Sequence, residues 1–165
     1  MRSKRCEYWL TPKAERREST TGTCSIYAVA QIAPNECLWD CQKNSVECSF
    51  DEASVNEIPD PLVYVYLSCP ELGGDCFQHS CDPNAGFRRA TELVAMRSIL
   101  PGEQITFDLA MCLPFHFGAW DCHCGTWCCR QRVTGSDWEM HALQQRYQGY
   151  FQPYIEAKIR RGQSV

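Results

Sequence analysis

Four cysteines have the residue type and the spacing of a tetrahedral metal site. Cys122, Cys124 and Cys129 form a Cys-x-Cys-x₄-Cys pattern in the last third of the chain. Three thiolates leave one position of a tetrahedral cation open, so a fourth ligand must come from elsewhere. Cys81 stands in a turn-prone Cys-Asp-Pro-Asn sequence and is the natural donor. Four thiolates around one ion are typical of structural zinc, so the pattern predicts a Zn site.

Two alternatives to this ligand set remain open. Cys128 is adjacent to Cys129 and could replace it in a shifted register. Cys37 and Cys41 could form a second metal site, although a Cys-x₃-Cys pair is a weak signal and small buried thiols are commoner. His123 lies between two predicted ligands and is expected to point outward.

The other cysteines bear on the compartment. Thirteen cysteines are a high and odd number for 165 residues. The basic N-terminal residues are not followed by an apolar run, so they do not resemble a secretory signal. We therefore expect a reducing compartment, cytoplasmic or nuclear. The cysteines outside the metal site are expected to be reduced and partly buried: Cys6, Cys24, Cys37, Cys41, Cys48, Cys69, Cys76, Cys112 and Cys128.

The overall composition is that of an ordinary globular protein, with 44% hydrophobic and 22% charged residues. At this length the chain is expected to form one domain with a sizeable core. No apolar run reaches membrane-spanning length, and the net charge of −4 argues against a nucleic-acid groove. We therefore expect neither a membrane nor a nucleic acid as the partner.

Short strands are the elements that must position these cysteines. A β-hairpin is predicted from residues 26–32 and 37–39, whose side chains alternate loosely around a Pro-Asn turn. Further strands are predicted at residues 62–67, 92–97 and 104–108. The Leu-Pro-Gly-Glu sequence at residues 100–103 predicts a turn between the last two strands.

Beyond the cysteine-rich segment the pattern becomes helical. Ser136 or Asp137 can cap a helix that reaches Tyr147, and a second helix begins near Pro153 and ends at Gly162. Many short strands with a helical tail predict a β-rich α+β fold. The expected segments are a flexible arm, a β-rich domain, a zinc loop and a helical tail, at residues 1–21, 22–120, 121–135 and 136–165.

A family resemblance is carried by the residues around Cys81. The sequence Phe77-Gln-His-Ser-Cys-Asp-Pro-Asn84 resembles the Asn-His-Ser-Cys-x-Pro-Asn block of SET-domain protein-lysine methyltransferases, and residues 93–108 resemble their Gly-Glu-x-Ile-Thr-x-Asp segment. Residues 133–138 and 146–154 resemble the tail of small stand-alone SET proteins. The resemblance implies a SET-domain fold, in which several small sheets surround a threaded pseudoknot and a post-SET loop binds zinc. It also implies a narrow channel that S-adenosylmethionine and lysine enter from opposite ends.

This chain departs from the family pattern at three places. The early Gly-x-Gly of the family, which closes over the methionine end of the cofactor, corresponds to Gly22-Thr-Cys24. The family's cofactor-binding Asn is Gln78, followed by His79, and the tyrosine that steers the lysine amine is Leu109. Gly22, Cys24, Gln78 and His79 would thus form a degenerate cofactor site. Methyl transfer requires an aligned amine, and leucine has no hydroxyl to align it.

Several nearby side chains have simpler expected roles. His79 is expected to be a hydrogen-bonded structural histidine rather than a catalytic base. Asp108 and Glu103 are expected to be turn or strand-end carboxylates. The aromatic residues of the loop and tail are expected to pack against the protein rather than form a cage: Phe115, Phe117, Trp120, Trp127, Tyr147, Tyr150 and Tyr154.

Three functions follow from these expectations, and the first is favoured. A channel with Leu109 would suit a small apolar molecule, and a cofactor-independent cyclisation or pericyclic step would need only confinement. Its apolar lining would include Phe107, Leu109, Met111, Phe115, Phe117 and Trp120. The second function is lysine methyl transfer from S-adenosylmethionine, with Tyr150 or Tyr154 replacing the missing hydroxyl. The third is a non-catalytic module that binds a peptide along a strand edge. The channel-lining candidates are therefore Gln78, His79, Leu109, Tyr150 and Tyr154.

Overall fold

Two four-stranded sheets and a two-stranded ribbon form the framework. The computed structural model describes residues 9–40, 76–113 and 118–162. The strands in these residues are β1 (Trp9–Leu10), β2 (Ala14–Glu18), β3 (Cys24–Ala28), β4 (Cys37–Asp40), β5 (Gln78–His79), β6 (Ala85–Arg89), β7 (Glu92–Ala95), β8 (Gln104–Phe107), β9 (Ala119–Asp121) and β10 (Arg132–Thr134). The helices are α1 (His141–Arg146) and α2 (Pro153–Gly162), with 3₁₀ turns at Leu109–Met111 and Asp137–Glu139.

The first sheet has the strand order β2-β3-β8-β5. β3 lies antiparallel to both β2 and β8, with Ile26 opposite Ile105. β5 lies at the edge of the sheet and runs parallel to β8, with His79 opposite Phe107. Because two parallel strands end at the same side of a sheet, His79 lies next to the turn that begins at Leu109.

The second sheet has the order β1-β4-β7-β6 and is antiparallel throughout. All four residues of β7 are buried. The C-terminal tail covers β6, since the Phe87 amide donates to the Tyr150 carbonyl at 2.9 Å. A Cβ atom added to Gly86 would lie 2.7 Å from the Tyr150 Cβ. Glycine is therefore what allows the tail to approach β6 this closely.

Asn84 joins the two sheets where the chain passes from β5 to β6. Its side-chain amide donates to the Gln104 carbonyl at 2.8 Å, and its side-chain oxygen accepts from the Thr106 amide at 2.9 Å. Its own carbonyl accepts from the Met96 amide, which follows β7. Asn84 is 3% exposed, and its side chain thus satisfies its hydrogen bonds on β8. It holds residues 80–84, the segment between β5 and β6, between the sheets.

The core lies between the sheets and the tail and is rich in aromatic rings. Phe87 of the second sheet meets Phe107 of the first edge to face, with ring centroids 5.9 Å apart. Tyr147 and Phe151 of the tail form a similar pair at 6.0 Å. These rings are buried, and burial of such large apolar surfaces stabilises the docking of the tail.

Several predicted elements are confirmed. Strands form at Glu92–Ala95 and Gln104–Phe107, and the last helix spans Pro153–Gly162. The turn at residues 100–103 forms, with the Glu103 amide donating to the Leu100 carbonyl at 3.1 Å. Strands in several small sheets with few helices confirm the β-rich α+β class. The strand predicted at residues 62–67 lies outside the described residues.

The predicted hairpin is wrong, because its two strands belong to different sheets. β3 lies in the first sheet and β4 in the second. The intervening residues carry the chain across, with Ile32 bridged to Ile99 instead of pairing β3 with β4. The strands that flank the turn at residues 100–103 are likewise in different sheets. Local alternation predicts a strand but not its partner, which depends on contacts distant in sequence.

From residue 9 onward, the polar segment before residue 22 contains strands instead of the predicted flexible arm. β2 spans Ala14–Glu18 and pairs with β3 along its whole length. Four of its five residues are exposed because β2 is an edge strand, so its composition resembles that of a loop. The helix predicted from residue 136 to 147 is interrupted at Met140, whose extended backbone separates a 3₁₀ turn from α1.

No helix within residues 9–40, 76–113 and 118–162 is long and apolar enough to cross a bilayer.

Candidate metal centre and channel

The four predicted ligand cysteines come together in space. The Sγ atoms of Cys81, Cys122, Cys124 and Cys129 all lie within 4.8 Å of one another. The Sγ atoms of Cys81 and Cys122 are 3.8 Å apart, close to the edge of about 3.8 Å expected for a tetrahedron with metal–sulfur distances of about 2.3 Å. Cys81, which is 41 or more positions from the other three in sequence, thus joins them in a cluster that could hold a metal ion.

Hydrogen bonds around the cluster favour ionised sulfur. The Arg130 amide lies 3.4 Å from the Cys81 Sγ, and the Cys81 amide lies 3.5 Å from the Cys124 Sγ. Burial by itself would raise the pKa of Cys124, but hydrogen bonds with Thr126 and the Cys81 amide outweigh it and lower that pKa to about 6. Burial raises the pKa of Cys81 well above its usual range. A bound cation would supply the positive charge that Cys81 needs to remain a thiolate.

Cys128 lies outside this cluster. Its Sγ is 3.3 Å from the Cys81 carbonyl and 3.4 Å from Arg146 Nη1. The cluster includes Cys129 instead, so the shifted register is not the one that forms. His123 is exposed, as the sequence predicts for a residue between two ligands. Cys41, the second half of the other candidate pair, lies outside the described residues.

A buried ion pair ties the metal cluster to the end of β8. Arg130 directly follows the ligand Cys129, and its guanidinium binds both oxygens of Asp108, at 2.6 and 2.8 Å. Its Nε also donates to Asp137 at 2.8 Å. The Asp108 side chain is fully buried, and the hydroxyl of Tyr147 donates to it at 2.9 Å. Asp108 is therefore a strand-end carboxylate that joins three segments of the chain.

The charges of this network are set by its geometry. Burial by itself would lower the pKa of Arg130, but the bonds to Asp108 outweigh it and raise that pKa. Burial and the neighbouring Asp108 raise the pKa of Tyr147, so its hydroxyl stays a donor. Neither Arg130 nor Tyr147 is among the residues predicted from the sequence as functional. The position of Arg130 next to a ligand cysteine is the one signal that could have drawn attention to it.

His79 is held by hydrogen bonds at both ring nitrogens. Its Nδ1 accepts from the Leu109 amide at 3.2 Å, so the ring proton of the neutral form is on Nε2. Nε2 lies 3.4 Å from the Sγ of Cys81, to which it can donate. Burial lowers the pKa of His79 and favours this neutral form. A ring used in this way orients a metal ligand rather than accepting a proton from a substrate.

Two of the four predicted cofactor residues, Gln78 and Cys24, meet at the start of β3. The side-chain Nε2 of Gln78 donates to the Cys24 carbonyl at 2.7 Å. Cys24 and Cys76 form a disulfide, so the expectation that both are reduced is wrong. The two cysteines are 52 residues apart in sequence, and only folding brings them together. Gly22 lies in the turn between β2 and β3, with φ of 81° and its amide bonded to the Ser19 carbonyl.

The described residues include further cysteines that lie outside the disulfide. Cys37, Cys112 and Cys128 are in the thiol state there, together with the four of the cluster. Cys112 is buried and the other two are half-buried, as the sequence predicts. Other cysteines lie outside the described residues: Cys6, Cys41, Cys48 and Cys69.

The other residues predicted to line the channel lie in different parts of the structure. Leu109 is half-buried and packs against both the main core and the cysteine cluster. The hydroxyl of Tyr154 donates to the Cys112 carbonyl, at the far end of the turn that begins with Leu109. The hydroxyl of Tyr150 bonds to Asn35 at 3.3 Å, on the side of the second sheet. Gln78, His79 and Leu109 are thus neighbours, whereas Tyr150 is not part of this group.

Only some of the apolar residues predicted to line the channel are exposed. Phe107 and Met111 are 3% and 0% exposed because they belong to the core. Trp120 is on β9 and is 38% exposed, while Trp127 is 88% exposed rather than packed. Phe115 and Phe117 lie outside the described residues. A cavity of about 310 Å³ lies elsewhere, between α1 and α2.

The metal cluster generates a first prediction. Replacing Cys81→Ser removes one of four thiolates, and we expect the purified protein to lose most of its bound metal. The matched control is Cys128→Ser, which removes a neighbouring thiol outside the cluster and should keep full metal content. Elemental analysis by mass spectrometry measures both. Full metal content in the Cys81 variant would refute the proposed ligand set.

The buried ion pair generates a second prediction. Arg130→Met leaves the charge of Asp108 buried without its partner, and we expect the free energy of unfolding to fall by about 3–5 kcal/mol. Arg16→Met breaks an exposed pair with Glu18 and should cost at most about 1 kcal/mol. Urea unfolding of the metal-loaded proteins gives both values. Equal losses in the two variants would show that the buried pair has no special role.

Comparison with known proteins identifies the family. The SET-domain family profile matches residues 6–109, which is more than half of the chain. No curated protein matches significantly. Among solved structures, a Plasmodium falciparum protein described as a candidate histone methyltransferase is similar over 60% of this chain and 94% of its own, with 14% identity and a TM-score of 0.32. Because the family profile spans most of the chain, including Cys81 and β8, this chain belongs to the SET-domain family.

Proposed function

We propose that this SET domain does not transfer methyl groups from S-adenosylmethionine and instead binds a small apolar molecule where β5 and β8 end. One observation carries the proposal: the groups expected to bind the cofactor are bound to each other. Gln78 donates to the Cys24 carbonyl, and the Cys24 sulfur is covalently joined to Cys76.

The first support is the state of the cofactor groups. In the family resemblance, the second glycine of Gly-x-Gly leaves room for the methionine end of the cofactor. Here Cys24 adds a sulfur at that place and is 8% exposed. A ligand that needed the Gln78 amide would have to displace an internal hydrogen bond of 2.7 Å. Such a replacement gives little net gain, because one hydrogen bond is exchanged for another.

The second support is the side chain at position 109. Leucine cannot donate or accept a hydrogen bond, so it cannot orient a lysine amine toward a methyl group. Positioning of the reacting atoms contributes about 7–11 kcal/mol in the best cases. The phenols of Tyr147 and Tyr154 both reach this turn, but Tyr147 donates to the Asp108 carboxylate and Tyr154 donates to the Cys112 carbonyl. Among the described residues of the tail, no hydroxyl therefore replaces the one that Leu109 lacks.

The third support concerns what the site can still bind. Gln78, His79 and Leu109 are all half-buried, so part of each side chain is accessible at one edge of the first sheet. An apolar side chain beside an imidazole suits a small organic ligand. A cyclisation or pericyclic step is a reaction that confinement there could accelerate without a cofactor.

The metal of the cysteine cluster is proposed to be zinc with a structural role. Four thiolates form a closed set with no open position for a substrate, which is typical of structural zinc. The cluster binds the tail to the threaded segment through Cys81, beside His79. Zinc would thus hold the ligand site in shape without taking part in its chemistry.

Two other functions are outcomes of the tests below. Membership in the SET family favours methyl transfer, which requires that the Gln78–Cys24 contact open for the cofactor. The exposed edge strand β2 would favour a peptide-binding module. Its charged side chains, however, form ion pairs with each other, Arg16 with Glu18 and Arg17 with Glu15.

Cofactor binding is the first test. Calorimetry with S-adenosylhomocysteine is expected to detect no binding to the native protein at about 1 mM ligand. A variant with Cys24→Gly, Gln78→Asn and Leu109→Tyr restores the family's residues and should gain affinity. Circular dichroism and metal content check that the variant is folded. Tight binding by the native protein, with methylation of a lysine peptide, would establish the methyltransferase instead.

Ligand binding at Leu109 is the second test. The fluorescent probe 1-anilinonaphthalene-8-sulfonate is expected to bind the folded protein, and Leu109→Arg should weaken that binding by about tenfold, since a charge replaces apolar surface. Leu100→Arg is the matched control, because Leu100 lies on an exposed turn and is 54% exposed. Equal probe affinity in the two variants would mean that the apolar site is elsewhere.

A further inference from the structure

The disulfide lies between the two segments that border the proposed ligand site. Cys24 is the first residue of β3, and Cys76 is two residues before β5. The side chain of Gln78 crosses the same gap to the Cys24 carbonyl. One covalent bond and one hydrogen bond therefore join the beginning of β3 to the beginning of β5.

We propose that Cys24 and Cys76 form a reversible thiol–disulfide latch that controls access to the site at Gln78, His79 and Leu109. The nature of the ligand rests on the function proposed above, whereas the latch itself rests on the position of the two sulfurs. In the oxidised state β5 is held against β3. In the reduced state β5 can separate from β3 and open the site.

The strength of the other contacts of β5 explains why one bond has this effect. β5 has two residues and lies at the edge of its sheet, paired with β8 alone among the described strands. A two-residue parallel ladder is weak by itself. Without the disulfide, the Gln78–Cys24 hydrogen bond still joins β5 to the start of β3.

Contacts carry a movement of β5 directly to Leu109. His79 follows Gln78, and its Nδ1 accepts from the Leu109 amide. The next residue, Ser80, donates its amide to the Phe107 carbonyl at 2.9 Å. The hydrogen bonds of these two amides would loosen when β5 shifts, and they lie at the proposed site. The metal cluster, which holds Cys81, limits how far the movement extends.

The redox step involves two electrons and two protons. A dithiol reductant attacks through its thiolate at Cys24, which is 8% exposed, whereas Cys76 is 0% exposed. The S–S bond breaks, Cys76 leaves and takes a proton, and a mixed disulfide remains on Cys24. The second thiol of the reductant then displaces Cys24 as a thiol and becomes a disulfide. Oxidation runs in reverse with a low-molecular-weight disulfide as the electron acceptor.

Selectivity for this pair follows from the surroundings of the other cysteines. Four of the described free thiols belong to the metal cluster, and metal binding keeps such thiolates from forming disulfides. Cys112 is fully buried. In a reducing compartment, which the sequence predicts, a disulfide is usually transient and catalytic or redox-sensing.

The test equilibrates the metal-loaded protein in mixtures of oxidised and reduced dithiothreitol. Alkylation and peptide mass spectrometry measure the state of Cys24 and Cys76, and hydrogen exchange follows the amides of Ser80 and Leu109. We expect the bridge to open and close reversibly, with exchange at both amides about tenfold faster when reduced. Probe affinity should rise by about threefold or more in the reduced state.

Variants separate the latch from general loss of structure. Cys76→Ser should reproduce the reduced state of the native protein in both redox conditions, with unchanged metal content. Cys128→Ser is the matched control and should retain the full redox response. If the Cys76 variant does not fold, the reduced native protein gives the same comparison.

The outcomes distinguish the latch from the proposed ligand. Reversible redox and exchange changes without probe binding in either state would support the latch and reject the apolar ligand. Binding of S-adenosylhomocysteine only after reduction would support the latch and return the protein to cofactor chemistry. A bridge that resists excess reductant in the folded protein, or opens without faster exchange at Ser80 and Leu109, would overturn the proposal.

Discussion

The fully buried carboxylate of Asp108 must be neutralised, and Arg130 neutralises it with two hydrogen bonds. A buried charge without a partner costs several kcal/mol, so this pair contributes to the stability of the fold. The pair joins the last residue before the Leu109 turn to the residue after a metal ligand. Tyr147 adds a third segment by donating to the same carboxylate. The end of β8, the cysteine loop and the tail are thereby fixed relative to one another.

The cysteine cluster acts on the same region from the other side. Cys81 lies between β5 and β6, and the other three cysteines lie in the loop between β9 and β10. His79 connects the two systems, because one ring nitrogen faces the Cys81 sulfur and the other accepts from Leu109. The proposed ligand site is therefore bordered by groups whose positions are set by the cysteine cluster and a buried ion pair.

The opposite side of the site is held differently. There, β5 is attached to β3 through the Cys24–Cys76 bridge and the Gln78 side chain. In a family member with Gly-x-Gly and Asn, these positions would face a cofactor. Here they are occupied by contacts within the protein, which is the physical basis for proposing a changed function. The scaffold retains its cysteine cluster, while the proposed function gives the site beside it different chemistry.

Residue types and spacing were sufficient to predict the four metal ligands, the SET family and the β-rich class, because each depends on a local pattern. The last helix and the turn at residues 100–103 were predicted for the same reason. The pairing of β3 with β4 was predicted wrongly, since local alternation does not specify which strand lies alongside. The role of β2 was missed because an exposed edge strand has the composition of a loop. By itself, the sequence determined a set of candidate metal ligands, in which Cys128 stayed an alternative to Cys129, and which family residues are replaced. Only the tertiary structure decided that Arg130 neutralises Asp108 and that Cys24 meets Cys76, because both contacts join residues far apart in the chain.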